Sequence, residues 1–487
     1  MSRSNPALSA PLLILILGLP LGASCNASLH GLPFIDDPVD MADQGAEPVD
    51  AGPLPCVNLK CQIPNCSKMG GGTTSISGVV NIPAGNLPLY NATVYVPNGP
   101  VAPIVSGASC DRCDSLYSGD PIAMTTTDIN GRFTLTGVPA GANIPLVIRL
   151  GKWRRQIMLP PVQACRDNTV DVVQTRLPRN RTEGDIPKIA LVTGAYDATE
   201  CLFRKLGIED SEFTKETEPG RVNLFAGHGG TNAYQAGFNN GEPFTAAPDS
   251  GGAPNGWWSS LDNLKKYDII VLACEGLAYV EEKSPQARAA MESYINLGGR
   301  VFASHWHNVW MASGSPAMQS IARFAPNIQY TNTVVDINLL TPSGEIFEKG
   351  NALADWMVAN GASPSPPGRG RFSVFAGRST VIPQTLNTAL AQRFVTYTPP
   401  MQTDFVEQYF SFFAPIGAAA KDQCGRMVFT DMHVSGNDVN RPNPALDLSS
   451  PGKPFPSGCV TNYLSAQEKA LLFLLFDLTN CLQPEIG

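Results

Sequence analysis

From Pro187 onward the chain alternates short apolar runs with amphipathic ones. KIALVTG, ATECLFRKLGI, VNLFAG, SLDNLKK, YDIIVLACEG, PQARAAMESYINLGG and RVFASHWHN follow in order. A strand buried on both faces reads as a continuous apolar run, and parallel neighbours need a helical crossover between them. The alternation therefore predicts a mainly parallel sheet with helices on both faces. In such sheets ligands bind beyond the carboxyl ends of the strands. Four strand ends can be named: Gly194-Ala195-Tyr196-Asp197, Gly227-His228-Gly229-Gly230, Cys274-Glu275-Gly276 and Ser304-His305-Trp306-His307.

Those ends collect the histidines. The chain has five; His228 and His305 finish predicted strands, His307 is close by, and a later run, CGRMVFTDMHVS, ends in His433. Only His30 lies elsewhere. Neutral imidazoles are metal ligands and acid–base groups, so His305 and His433 are candidates for chemistry and His228 and His307 for ligand contact. The plainer alternative leaves His307 exposed and His228 in a glycine-rich turn.

Other side chains on this edge are read against plain roles as well. Glu275 is placed over the cleft by its loop. Asp431 lies two residues before His433, hence on the same face of the strand, where it orients the imidazole or forms a surface pair. Cys274 has an acidic neighbour, which disfavours a thiolate; it belongs to the pocket wall or pairs with a cysteine such as Cys201. Trp306, with Trp257, Trp258 and Trp310, offers aromatic faces that suit sugar rings or pack the domain edge. Ser304 is a ligand contact and a weak nucleophile candidate, because Ala303 and Trp306 replace the small residues that a G-x-S-x-G elbow needs.

Upstream, residues 73–177 look all-β. SISGVVNI, NATVYVP, GRFTLTGV and IPLVIRL are β-branched runs separated by turn residues at the spacing of a small sandwich. The basic run Lys152-Trp153-Arg154-Arg155 reads as the exposed end of a hairpin. Residues 26–55 hold six acidic residues and no lysine or arginine, which fits a solvated tether. The start, MSRSNPALSAP then LLILILGLPLGA, has the shape of an export signal too short to span a bilayer. Twelve cysteines agree with an oxidising compartment, and disulfides are favoured over zinc for Cys56, Cys61 and Cys66 and for the Cys110-x-x-Cys113 pair. Without Cys25 eleven remain, so at least one thiol is free or pairs between chains.

Three resemblances follow. Ala23-Ser24-Cys25 resembles the bacterial lipoprotein signal, although Gly22 stands where that motif prefers leucine; this implies a lipid on Cys25 and a place in the cell envelope, at the outer membrane. SGVV, ATVYVPN, TDINGRFTL and GVPAG resemble the carboxypeptidase regulatory-like domain, a prealbumin-type sandwich, which implies a binding or stabilising module. YDIIVLACEG followed by a helix and INLGGRVFASHWH resembles the class I glutamine amidotransferase-like superfamily, nearest its trehalose-utilisation (ThuA-like) branch, with CGRMVFTDMHVS as the later strand ending in histidine. That resemblance implies a flavodoxin-like three-layer domain. The expected organisation is a signal peptide at 1–25, a tether at 26–55, a cysteine-rich segment at 56–72, a β-sandwich at 73–180 and an α/β domain at 186–485 carrying an insertion at 311–405.

Function divides into two classes. The first is a lipid-anchored binding or scaffold protein that recognises a glycan or another polar ligand at the α/β cleft. The alternative is a ThuA-like enzyme acting on a carbohydrate-type small molecule, with His305 and His433 as acid–base or metal-binding residues. A net charge of −8 gives nucleic acid no electrostatic handle. The sequence fixes neither a cofactor nor a metal nor an oligomeric state.

Overall fold

A computed structural model describes residues 56–482, apart from 114–116, 330–332, 364–367, 376, 400, 402, 434–448 and 461–462. The signal, the tether, His30 and Cys25 lie outside the described residues.

The N-terminal part contains two small sheets. Strands β1 (Ser75–Val79), β2 (Thr93–Pro97), β3 (Pro121–Thr126), β4 (Arg132–Thr136), β5 (Pro145–Leu150), β6 (Trp153–Met158) and β7 (Asp167–Thr169) pair in the orders β4-β1-β7 and β3-β2-β5-β6. β4 alternates exposed and buried residues along RFTLT, as a strand with one solvated face does. Its inward Phe133 and Leu135 share a core with Ile76 of β1 and with Val94, Val96, Leu146 and Ile148 of the other sheet.

The remainder is one large mixed sheet. Its strands are β8 (Ile189–Val192), β9 (Phe213–Thr214), β10 (Val222–Ala226), β11 (Thr245–Ala246), β12 (Ile269–Leu272), β13 (Arg300–Ser304), β15 (Thr333–Ile337), β16 (Arg371–Val374), β18 (Ala391–Tyr397), β19 (Val406–Ala414) and β20 (Gly425–Thr430); β14 (Phe324–Gln329) and β17 (Arg378–Val381) pair apart from it. The order is β11-β10-β8-β12-β13-β20-β19-β18-β15-β16. From β11 to β20 neighbours run parallel; beyond β20 every pairing is antiparallel. The sheet is thus less parallel than the sequence predicted. The 311–405 stretch is the reason: three of its strands extend the sheet past β20.

Burial explains the apolar runs. IALV of β8, IIVL of β12 and RVFAS of β13 are buried throughout. Alternate residues serve opposite faces. Ile189, Leu191, Val271 and Phe302 face helices Thr199–Leu206 and Ala466–Thr479, whereas Ala190, Ile270, Val301 and Ala303 face helix Pro285–Asn296. That last helix starts where the sequence says it should. Ser284 Oγ accepts from Ala287 N–H and Pro285 fills the first turn, a cap that satisfies an otherwise orphaned donor.

The two parts are joined by charge and sulfur. The basic run is not an exposed hairpin end: Lys152 is buried with its Nζ 2.6 Å from Asp268 Oδ1, at the start of β12, and Trp153 is buried beside it. Five disulfides form, Cys56–Cys61, Cys66–Cys165, Cys110–Cys424, Cys113–Cys481 and Cys201–Cys459. Cys274 is the free cysteine among the described residues, so the expected Cys274–Cys201 pairing does not occur. No helix among the described residues is long and apolar enough to cross a membrane, and the bridges fit an oxidising compartment.

Candidate functional site

The carboxyl ends of β8, β10 and β12 crowd together because glycines follow β8 and β10. A Cβ on Gly194 would lie 2.3 Å from the Cys274 carbonyl oxygen, and one on Gly227 would lie 2.0 Å from that of Thr193. Only glycine permits this approach. At the end of β13 the chain turns sharply into a short helical stretch, and His305 takes φ +44° there. A non-glycine residue in the left-handed region is strained. The strained position after the strand therefore belongs to His305 and not to Ser304.

A polar centre closes around that turn. Asp197, just after β8, accepts from Ser304 Oγ at 2.6 Å through Oδ2 and contacts His433 Nδ1 at 2.8 Å through Oδ1. Arg378 Nε, on β17, lies 3.1 Å from His433 Nε2. A guanidinium only donates, so Nε2 accepts and the ring proton sits on Nδ1, donated to Asp197. Cys274 Sγ lies 3.1 Å from His305 Nδ1, and the two imidazole centroids are 5.3 Å apart. Asp197, Cys274 and Ser304 are fully buried, while His305 and His433 retain 2% and 3% exposure. Burial first, and then the Asp197 charge, push the Cys274 thiol well above its ordinary value. Cys274 therefore meets Nδ1 of His305 as a protonated thiol.

The other candidates are sorted elsewhere. Glu275 does not overhang a cleft. It is buried, with Oε2 2.7 Å from Lys283 Nζ and Oε1 accepting from the His228 N–H at 2.9 Å, a compensated internal ion pair. His228 caps this second network at the surface, its Nδ1 2.9 Å from Glu282 Oε1 and its ring stacked on Tyr279 at 3.6 Å. His307 is not exposed either. Its Nε2 meets the Ala273 carbonyl oxygen at 2.9 Å and Trp310 Nε1 donates to its Nδ1 at 3.1 Å; burial lowers its pKa to about 4. Asp431 does not orient His433. Its carboxylate takes the N–H and hydroxyl of Thr380 at 2.8 and 2.9 Å, and burial raises its pKa to about 7. Trp257, Trp258 and Trp310 pack in the core; Trp306 keeps partial exposure, its ring 5.1 Å from that of His305.

Two members of the centre were not among the sequence candidates. Asp197 was within reach, because it finishes a strand end singled out by the rule that selected the histidines. Arg378 had no signal: it comes from the 311–405 stretch, where neither motif nor periodicity distinguishes it.

No protein-family model matches the chain, and no curated protein matches it. Two solved structures are similar to parts of it. One is a protein from Bacteroides uniformis ATCC 8492 described as ThuA-like, 13% identical, covering 59% of this chain and 90% of its own, with a TM-score of 0.29. The other is a type II cohesin–X-dockerin complex from Acetivibrio cellulolyticus, 17% identical, covering 28% of this chain and 85% of its own, with a TM-score of 0.16.

Proposed function

We propose that the α/β part is an enzyme acting on a polar, carbohydrate-type small molecule at the carboxyl edge of its sheet, with His305 and His433 as the proton-transfer pair. The observation that carries this reading is the 5.3 Å approach of two imidazoles from different strands, each held by a second group. Asp197 fixes the tautomer of His433, and Nε2, which accepts from Arg378 Nε in the arrangement seen, is the atom that takes a proton when the guanidinium turns aside. Cys274 orients His305 through Nδ1. Two imidazoles held on one rim are what general acid–base catalysis requires. Partly exposed Trp306, and Tyr279 stacked on His228, give aromatic surface of the kind sugar rings prefer. The protein is proposed to work outside the cytoplasm, lipidated on Cys25 and held at the outer membrane; mass spectrometry of the mature N-terminus tests that assignment.

A second reading, a binding or scaffold protein for the same ligand class, is favoured by the near-complete burial of both rings. One experiment separates the two. The purified chain is incubated with a panel of di- and oligosaccharides, with binding followed by calorimetry and products by NMR. Turnover that His433→Asn abolishes while ligand binding changes less than about threefold supports the enzyme. Binding without any product in the wild-type chain supports the scaffold reading and sinks the enzymatic one.

A further inference from the structure

We infer that Cys274, His305 and His433 form a site for a borderline-soft divalent cation of the zinc class, and that Arg378 competes with the cation for it. The inference rests on the reading of this centre as the working part of the protein, and it gives His433 the role of a ligand in place of proton transfer.

Three observations carry it. First, among the described residues these three side chains are the group whose ligand atoms all lie within 4.8 Å of one another. They come from the ends of β12, β13 and β20, so the sheet itself fixes their spacing. A tetrahedral zinc holds sulfur and nitrogen ligands about 3.6 Å apart; Cys274 Sγ and His305 Nδ1 are 3.1 Å apart, a difference that small side-chain rotations absorb. Second, ten described cysteines are bridged and Cys274 is not. A chain that oxidises its other described thiols has placed this one against an imidazole, out of reach of a partner sulfur. Third, His433 already has the outer partner that metal-bound histidines usually carry, a carboxylate on the far ring nitrogen. One thiolate with two imidazoles suits zinc better than magnesium or calcium, and three protein ligands leave a fourth position for water or substrate.

Arg378 supplies the competition. Its guanidinium uses the Nε2 lone pair of His433, the pair a cation would need. In the arrangement seen, the Asp197 carboxylate is balanced by Arg378. With a divalent cation bound, the thiolate and Asp197 carry that balance and Arg378 becomes a surplus positive charge. The two states exclude each other. Cation uptake must release one proton from Cys274 and turn Arg378 away from His433.

The test uses the full, disulfide-intact chain, stripped with a chelator and titrated with cobalt(II) and then with zinc(II) against a chromophoric competitor. We expect one equivalent of cobalt with a thiolate-to-cobalt charge-transfer band, displaced by zinc. Cys274→Ser should lose the band and weaken binding at least about 100-fold. Arg378→Met should tighten it about tenfold, the reverse of what a merely structural arginine would do. No stoichiometric binding by either the wild-type chain or Arg378→Met would overturn the proposal, and so would a band that survives Cys274→Ser. Turnover of a saccharide that persists unchanged in excess chelator would also overturn it while leaving the enzymatic reading standing. Tight cobalt binding in a chain that turns nothing over would do the reverse.

Discussion

The apolar cavity between the N-terminal sheets and the large sheet and the chemically richest place in this protein are not the same. A cavity of about 440 Å³ opens where the N-terminal sheets meet the large sheet, lined by Leu87, Tyr90, Phe347, Trp356, Phe473 and Phe476 among others. Arg426 and Lys349 in its lining both pair with Asp477, at 2.6 and 3.2 Å. The strand-end centre is compact and nearly closed, yet it holds two imidazoles, a thiol, a carboxylate and a guanidinium within contact of one another. Its volume and its apolar, aromatic lining would nominate the cavity as a binding site. Convergent titratable groups nominate the centre instead. A gap between two packed parts of a chain can be an imperfection of fit, whereas buried polar groups that hydrogen-bond to one another had to be arranged.

The contrast breaks most visibly at Asp197. Asp197→Asn keeps the shape but frees the His433 tautomer, and turnover should fall about 10³–10⁴-fold with little change in melting temperature. A matching loss of stability would mean that the centre is structural after all. Phe473→Ala is the opposite case. Phe473 stacks on Tyr90 at 5.6 Å and packs on Trp356, so enlarging the cavity should cost about 3–5 kcal/mol without touching ligand affinity at the strand ends. Ligand binding abolished in a folded Phe473→Ala chain would move the site to the cavity.

Smaller effects come from pH. The Asp431 carboxyl is raised from 3.8 to about 7, so the folded state holds a proton that the unfolded chain has released. Its contribution is full below pH 3.8 and is lost as pH rises toward 7. Asp431→Asn should therefore gain about 1–2 kcal/mol relative to wild type between pH 5 and pH 8, read from denaturant midpoints. His307 has the reverse sign, lowered from 6.5 to about 4. The unfolded chain takes up a proton that the folded one refuses, so stability falls as pH drops through that window. His307→Gln should flatten that acid limb by about 1 kcal/mol, the smallest effect here. An unchanged limb would mean that His307 is already charged in the fold.

These residues also show what could be read from the sequence and what could not. Strands buried on both faces announce themselves as apolar runs, so β8, β12, β13 and the helix at Pro285–Asn296 were legible. The rule that ligands gather at strand ends then singled out His305 and His433, while Cys274, at another such end, was read as pocket wall or a disulfide partner. It also collected Glu275, His228 and His307, because sequence gives the strand end but not the direction in which a loop side chain turns. Lys283, eight residues past Glu275, decides that direction through one ion pair. Asp431 was misassigned for a similar reason. Sharing a strand face with His433 set the pairing expectation, but Thr380 from another strand reached the carboxylate first. Arg378 meets His433 across 55 residues, and the antiparallel half of the sheet pairs strands that are separate in sequence; local pattern encodes neither.

The bridges give the chain a covalent topology of overlapping rings. Cys110–Cys424, Cys113–Cys481 and Cys201–Cys459 close loops over sequence separations of 314, 368 and 258 residues. A protease that cuts once near residue 320, inside all three loops, releases nothing: both pieces stay linked three times over. For a protein in a space where proteases are common and replacement is slow, a nicked molecule is still a whole one, and it comes apart only when it meets a reductant.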